Sequence, residues 1–258
     1  FLGPFPMQFR FDSSDHDNSD KTFLGETGNF NGEDIIELIV KNRAAARFIA
    51  MRLYLFFVSD EPNDSEIERL ADVFQETDGD IKSILRSIFN SDHFKSDDVR
   101  YRKVKSPTEL IFGTARLTNR FEIPDMESSE LANQAEFMGQ MLLNPPSVEG
   151  WHEGEEWIDS GSLSERINFA AGEMSHQSAP GVQRMLERVN SRDKSLKPEK
   201  FVDACLDALG CIDISPRTKN ILVDHAVISQ QDQEIKDNKE RTIEMLQLIV
   251  STPDYQYC

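Results

Sequence analysis

Apolar residues recur along this chain at helical spacing, and the recurrence is punctuated by capping residues, prolines and glycines. Asn31, followed by Glu33 and Asp34, predicts a helix start, with Ile35, Ile36, Leu38 and Ile39 behind it. Residues 43–58 are the most hydrophobic stretch. Ala44, Ala45, Ala46, Phe48, Ile49, Leu53, Phe56 and Phe57 cover most of a helix circumference, which predicts a central, buried helix. After Pro62, Asn63 with Glu66 reads as a capping box for the stripe Ile67, Leu70, Ala71, Phe74. Asp78-Gly79-Asp80 interrupts the chain before Ile81, Ile84, Leu85 and Ile88. Ser106, Pro107 and Glu109 open a further helix with Leu110, Thr114, Leu117 and Phe121 on its inner face.

Beyond it, a helix over 129–143 is expected to stop at Pro145-Pro146. A Gly/Pro/Trp loop follows over 145–161. Ser162 with Glu165 reads as another capping box, leading into Leu163, Ile167, Ala170, Ala171 and Met174. Four more helices are expected, at about 181–190, 198–209, 216–229 and 238–250. Residues 1–32, with Pro4, Pro6 and an Asp/Ser/Asn run, favour loop with short extended pieces, and no convincing strand pattern occurs. The expectation is an all-α, multi-helix chain of about nine to eleven helices. Its main region is 1–174, with a linker at 175–180 and a C-terminal helical region at 181–258 that packs either separately or with the rest.

At 258 residues the chain is long enough for a sizeable core, and 17 Phe residues point to a Phe-rich one. The balance of 46 acidic against 28 basic side chains gives a net charge of −18. Such a chain is repelled by phosphate backbones, and no Lys/Arg-rich block offsets this, so nucleic acid is excluded as a partner class. No run of eighteen apolar residues suggests a transmembrane segment. Three cysteines form no CxxC pair, which argues against a thiolate zinc site. Cys205 and Cys211 either bridge around the turn at Gly210 or remain two buried thiols. The abrupt opening Phe-Leu-Gly-Pro-Phe-Pro reads as a fragment or processed form.

A string of motifs then resembles one bacterial family, known as domain of unknown function 1800. Lys21-Thr-Phe-Leu-Gly25, Gly28 and Asn31-Gly32 are similar to its entry motif. Ala45-Ala-Arg-Phe-Ile-Ala50 with Leu53, Phe56, Phe57 and Val58 is similar to its central helix, with Arg52 where lysine is usual. Arg102, Lys105, Ser106, Pro107 and Glu109 resemble a third element. Gly139-Gln140, Asn144-Pro-Pro-Ser-Val-Glu-Gly-Trp151, Gly154 and Trp157 resemble the family signature. Arg166, Asn168, Phe169 and Ala170 come next, and Ser251-Thr-Pro-Asp-Tyr-Gln256 resembles the closing tail. The match runs in order across the chain and is strongest from Lys21 to Ala170. Members generally carry a preceding helical half, so the resemblance implies the C-terminal portion of a longer protein. It also implies export to the envelope or exterior, and a partner from the neighbouring uncharacterised family numbered 1501. It implies no activity.

Three clusters carry candidate chemistry. In 150–157, Trp151 and Trp157 would stack on a sugar ring, with Glu153, Glu155 and Glu156 as acid and base. The alternative is that both indoles pin the loop to the core. His152 stands where the family usually has other residues. Lys21 and Arg166, both in the family-like motifs, join the two Trp residues as candidate ligand-binding side chains. In 12–20, Asp12, Asp15, His16, Asp17 and Asp20 would offer oxygen and imidazole ligands, with Asp15, His16 and Asp17 the metal candidates and calcium the cation. The spacing is not that of an EF-hand, and a solvated acidic turn is the alternative. Arg43 and Arg47, four residues apart, and nearby Arg52 would grip an anion or pair internally, with Glu109 a suitable partner.

No GxSxG, HExxH, P-loop or dinucleotide motif occurs. No cofactor is expected apart from that calcium. The expected function is a non-enzymatic structural or binding protein of the envelope or exterior. The alternatives are a polysaccharide-active enzyme and a calcium-stabilised module.

Overall fold

The computed structural model describes residues 11–121, 127–192, 197–210, 212–231 and 237–258. Among them are eleven α-helices and one two-stranded sheet. The all-α expectation therefore holds. The chain divides into two compact units, one ending at Lys95 and the other beginning at Ser96.

In the first unit, β1 (Lys21–Phe23) and β2 (Glu26–Gly28) pair antiparallel, with Lys21 opposite Gly28 and Phe23 opposite Glu26. Leu24 and Gly25, at φ 50° and 90°, make the two-residue turn that such a hairpin requires. Strands of three residues are too short to print an alternating pattern, which is why the sequence shows none. Asn31 caps α1 (Gly32–Lys41), accepting from the amides of Glu33 and Asp34 while Asp34 accepts from Asn31 N–H.

The next helices are α2 (Arg43–Phe57), α3 (Asp64–Glu76) and α4 (Ile81–Asn90). α2 packs along α3, and α3 along α4. The buried side chains are Ala46, Ala50 and Tyr54 from α2, Ile67, Leu70, Ala71 and Phe74 from α3, and Ile84 and Ile88 from α4.

Two expectations are corrected here. α2 is not buried all round: Ala46, Ala50 and Tyr54 face inward, while Ala44 is exposed and Phe48 and Phe56 are more than half exposed. Hydrophobic count alone cannot say which face of a helix meets the core. Arg43 and Arg47 do not pair with Glu109. Arg43 bonds Glu68 at 2.6 Å and Asp72 at 2.7 Å, and Arg47 bonds Asp64 at 2.6 Å and Glu68 at 2.5 Å. These pairs stitch α2 to α3 on a partly exposed surface, and the Arg43 guanidinium holds Glu68 below its usual carboxylate range.

The second unit contains α5 (Pro107–Thr118), α6 (Glu130–Phe137), α7 (Ser160–Ser175), α8 (Pro180–Asn190), α9 (Pro198–Leu209), α10 (Pro216–Gln231) and α11 (Asn238–Val250). Proline stands in the first turn of α5, α8 and α9, where its missing N–H leaves no intrahelical partner unfilled. Leu110 and Ile111 from α5, Ala170 and Met174 from α7, Met185 and Val189 from α8, Cys205 from α9 and Leu246 and Ile249 from α11 share one core. Residues 176–179 connect α7 to α8, and both helices contribute to that core.

Gly181, in the first turn of α8, lies against the end of α5. A Cβ there would stand 1.9 Å from the Leu117 carbonyl oxygen. Cys205 is a free, buried thiol, and burial pushes its pKa up to about 12. Cys211, the other half of the bridge considered above, lies outside the described residues. Among the described residues no helix is long and apolar enough to cross a membrane.

Two helix ends differ from expectation, and both shape the site. α6 stops at Phe137 rather than running to 143. Gly139, at φ 95°, donates to Glu136 O at 2.8 Å, and Gln140 donates to Ala135 O at 2.7 Å. This pair of bonds is a Schellman stop, which requires a left-handed residue at the position glycine fills. α7 begins at Ser160, not at a Ser162–Glu165 box. Asp159 accepts from the amides of Gly161 and Ser162, while Ser162 Oγ accepts from Asp159 N–H. Those amides hold the Asp159 carboxyl below its ordinary value.

Candidate functional site

The Gly/Trp loop is held from below. Residues 154–157 form a single 3-10 turn, and Trp157 is only 6% exposed. Its ring lies under Gly139, whose added Cβ would sit 4.0 Å from the indole, and its carbonyl accepts from Ser162 Oγ at 2.9 Å. Trp151 is half-buried, and among the described residues its indole N–H has no acceptor. Glu153, Glu155 and Glu156 are all exposed. Glu156 meets His152 Nδ1 at 2.7 Å on the surface. The two indoles therefore do not present a paired open platform to those carboxylates.

The stop of α6 and the start of α7 enclose an open groove of about 600 Å³. Gln134, Glu136, Phe137 and Gly139 line one side, and Asp159, Gly161 and Glu165 line the other, with buried Met138 and Ser162 also contributing to its lining. Past the glycine stop, Gln140 is tied to the start of α5. Its side-chain oxygen accepts from Thr108 N at 2.9 Å and from Thr108 Oγ at 2.5 Å. From there residues 141–149 are exposed without a break. Leu143 is 97% exposed and Val148 is fully so. Phe137, on the groove wall, is 67% exposed. The helix expected over 129–143 runs six residues too far, so the pattern gives 145–149 as loop but hides the groove and the first part of the loop. The signal that would have found them is Gly139.

Arg166 is among the largest fully buried side chains. Its Nε donates to Gln256 Oε1 at 2.7 Å and its Nη2 to Lys105 O at 2.7 Å. Lys105 Nζ donates to Tyr255 O at 2.7 Å and lies 4.2 Å above the Tyr255 ring. The Tyr255 hydroxyl meets Thr114 Oγ at 2.8 Å in the core. Burial lowers the Arg166 pKa to about 10, against a raising influence from Glu109, and burial lowers that of Lys105 as well. Residues 103–105 and 256–258 complete the arrangement as a short antiparallel pairing, with Lys105 N–H on Gln256 O and Cys258 N–H on Lys103 O, both at 2.8 Å. Arg166 thus ties α7 to the Lys105 backbone and the Gln256 side chain, with its own side chain fully buried.

In the first unit, Lys21 Nζ donates to Asp17 O at 2.5 Å, Ser19 O at 3.1 Å and Asn29 Oδ1 at 3.2 Å. His16 Nε2 also meets Asn29 Oδ1, at 3.3 Å. Asp12 and Asp17 each accept from the backbone and hydroxyl of a serine two residues on, which holds both carboxyls below their ordinary range. Asp15 and Asp20 are exposed. His16, Asp17 and Lys21 border a shallow depression of about 370 Å³ with Phe30, Asn31 and Ile35. Among the described residues no three His, Cys, Asp or Glu side chains group so as to hold a metal ion.

The model of the family described as "Protein of unknown function (DUF1800)" matches residues 4–257. Neither the curated proteins nor the solved structures give a match. The family match takes in the Lys21 hairpin, the Arg166 clamp, the groove and the 141–149 loop alike, and the chain therefore belongs to that family of proteins of unknown function.

Proposed function

We propose that this chain is a non-enzymatic binding protein of the cell envelope or exterior, which engages a protein partner through the 141–149 loop and the adjoining groove. The observation that carries this reading is the exposure of Leu143 and Val148 on a loop whose base is fixed by Gly139 and Gln140. Contiguous exposed apolar surface rimmed by polar groups characterises interaction sites. The fixed base reduces the ordering cost of binding. The polysaccharide-active alternative draws less support, since Trp157 is covered and Glu156 is engaged by His152. Placement in the envelope rests on the family resemblance.

A photo-crosslinking amino acid at position 143, in the full chain expressed in its own host, tests the reading. A discrete adduct in the envelope fraction is expected from position 143 and none from position 240 on α11. No adduct at 143, or the same adducts at both positions, would sink it.

A further inference from the structure

The lining of the groove points to the chemistry of what it takes, given the binding role proposed above. Glu136, Asp159 and Glu165 place three carboxylates on it, and among the described residues no Lys or Arg lines it. Asp159 is held ionised by two backbone amides. Glu136 and Glu165 are exposed, and among the described residues their carboxylates make no hydrogen bond or ion pair within the protein. On the same wall Phe137 stands 67% exposed over buried Met138, and the exposed apolar residues Met141, Leu142, Leu143 and Val148 follow in sequence on the loop that leaves it.

Covering such a surface with a neutral apolar ligand would strip water from three charges without replacing it. An anionic lipid surface would meet like charge both here and in the chain's net −18. A cationic group set beside apolar ones satisfies both parts of the lining, and the overall field raises the rate at which it arrives. We infer that the groove and loop take an extended polypeptide segment carrying lysine or arginine next to aliphatic or aromatic side chains. The cation lies between Glu136 and Glu165, and the apolar side chains lie over Phe137, Leu143 and Val148. The volume of about 600 Å³ is within the range of specific ligand clefts.

The test uses the full chain and three labelled synthetic peptides, built of alternating Leu-Lys, Leu-Ser and Leu-Glu, followed by fluorescence anisotropy. The Leu-Lys peptide is expected to bind best and to weaken as salt rises from about 20 to about 500 mM. Combining Glu136→Gln with Glu165→Gln should weaken it by about threefold to tenfold. Combining Glu187→Gln with Glu240→Gln removes the same charge from exposed positions outside the groove and should leave binding unchanged.

An equal loss in both double variants would assign the binding to the general field of the molecule and overturn the inference. Equally tight Leu-Ser binding, lost on Leu143→Ser with Val148→Ser, would overturn the cationic partner while leaving the proposed binding role standing. Tighter association with vesicles of phosphatidylcholine and phosphatidylglycerol than with the Leu-Lys peptide would also overturn it. So would no binding of any peptide, whereas the position-143 adduct decides the binding role separately.

Discussion

The Arg166 clamp and the 141–149 loop belong to the same unit, yet they handle water in opposite ways. At the clamp, charged and polar side chains are taken out of water: Arg166, Tyr255 and Gln256 are buried and Lys105 half-buried, and they bond one another and Thr114, while Arg166 Nη1 and Gln256 Nε2 have no partner among the described residues. At the loop, apolar side chains are exposed, with Leu143 and Val148 almost wholly in solvent. Each reverses the ordinary partition of residues, and each reversal has a different physical meaning. A buried cation is tolerated where carbonyls and aromatic faces replace its hydration. Exposed leucine and valine gain nothing from folding, and gathered on one anchored loop they offer the kind of surface that the proposed partner would cover.

The largest effect that would break this comparison is at Arg166. Arg166→Ala strips hydrogen bonds from Gln256 Oε1 and Lys105 O in a dry interior and leaves a hole, so unfolding free energy should fall by about 3–5 kcal/mol in urea denaturation. Arg166→Met, which fills the space without the bonds, should recover only part of that. A variant as stable as the parent would mean the clamp is ornamental.

A smaller effect is expected at the start of α7, on the groove wall. Asp159→Ala removes the acceptor for two helix amides and should lower Tm by less than Arg166→Ala does. The sign of its pH dependence follows from its depressed pKa. The stabilisation is complete above the ordinary carboxyl value of 3.8 and is lost as pH falls through the lower folded value. That part of the acid sensitivity should be missing from the Asp159→Ala variant.

The smallest effect sharpens the comparison most. Leu143→Ser combined with Val148→Ser should change stability by less than about 0.5 kcal/mol, because neither side chain is buried. A large loss of stability would show that the loop serves the fold rather than a partner.

Much of the helical frame was legible in the sequence. The stripe Ile67, Leu70, Ala71, Phe74 and the Ser106–Glu109 box appear in the structure as read, because local caps and a single apolar face determine them. What was less legible depends on partners distant in sequence or on competition between signals. Arg166 reads as a candidate ligand-binding cation until Lys105 and Gln256 are brought to it from 61 and 90 residues away. The apolar run Met141-Leu142-Leu143 extends a helical pattern, and only the left-handed glycine at 139 overrides it. Ser162 is a helix-cap residue by type, but Asp159 lies three positions earlier and takes both amides. Of the groove lining, the pattern marks Glu165 only as a cap and leaves Glu136 and Phe137 unmarked, since exposed residues leave no periodic trace.

The close approach at Gly181 has a consequence for how freely this protein can drift in sequence. With a Cβ landing 1.9 Å from a main-chain carbonyl, no flexible side chain stands in the way that could simply rotate aside. Every other amino acid brings that same carbon, so all single-nucleotide routes away from this glycine codon that alter the residue lead to the same collision. Gly113 and Gly172, also within helices, have open space where a Cβ would go and are free to change. One helix junction is thereby fixed to a single residue, while two glycines of the same unit remain open to drift.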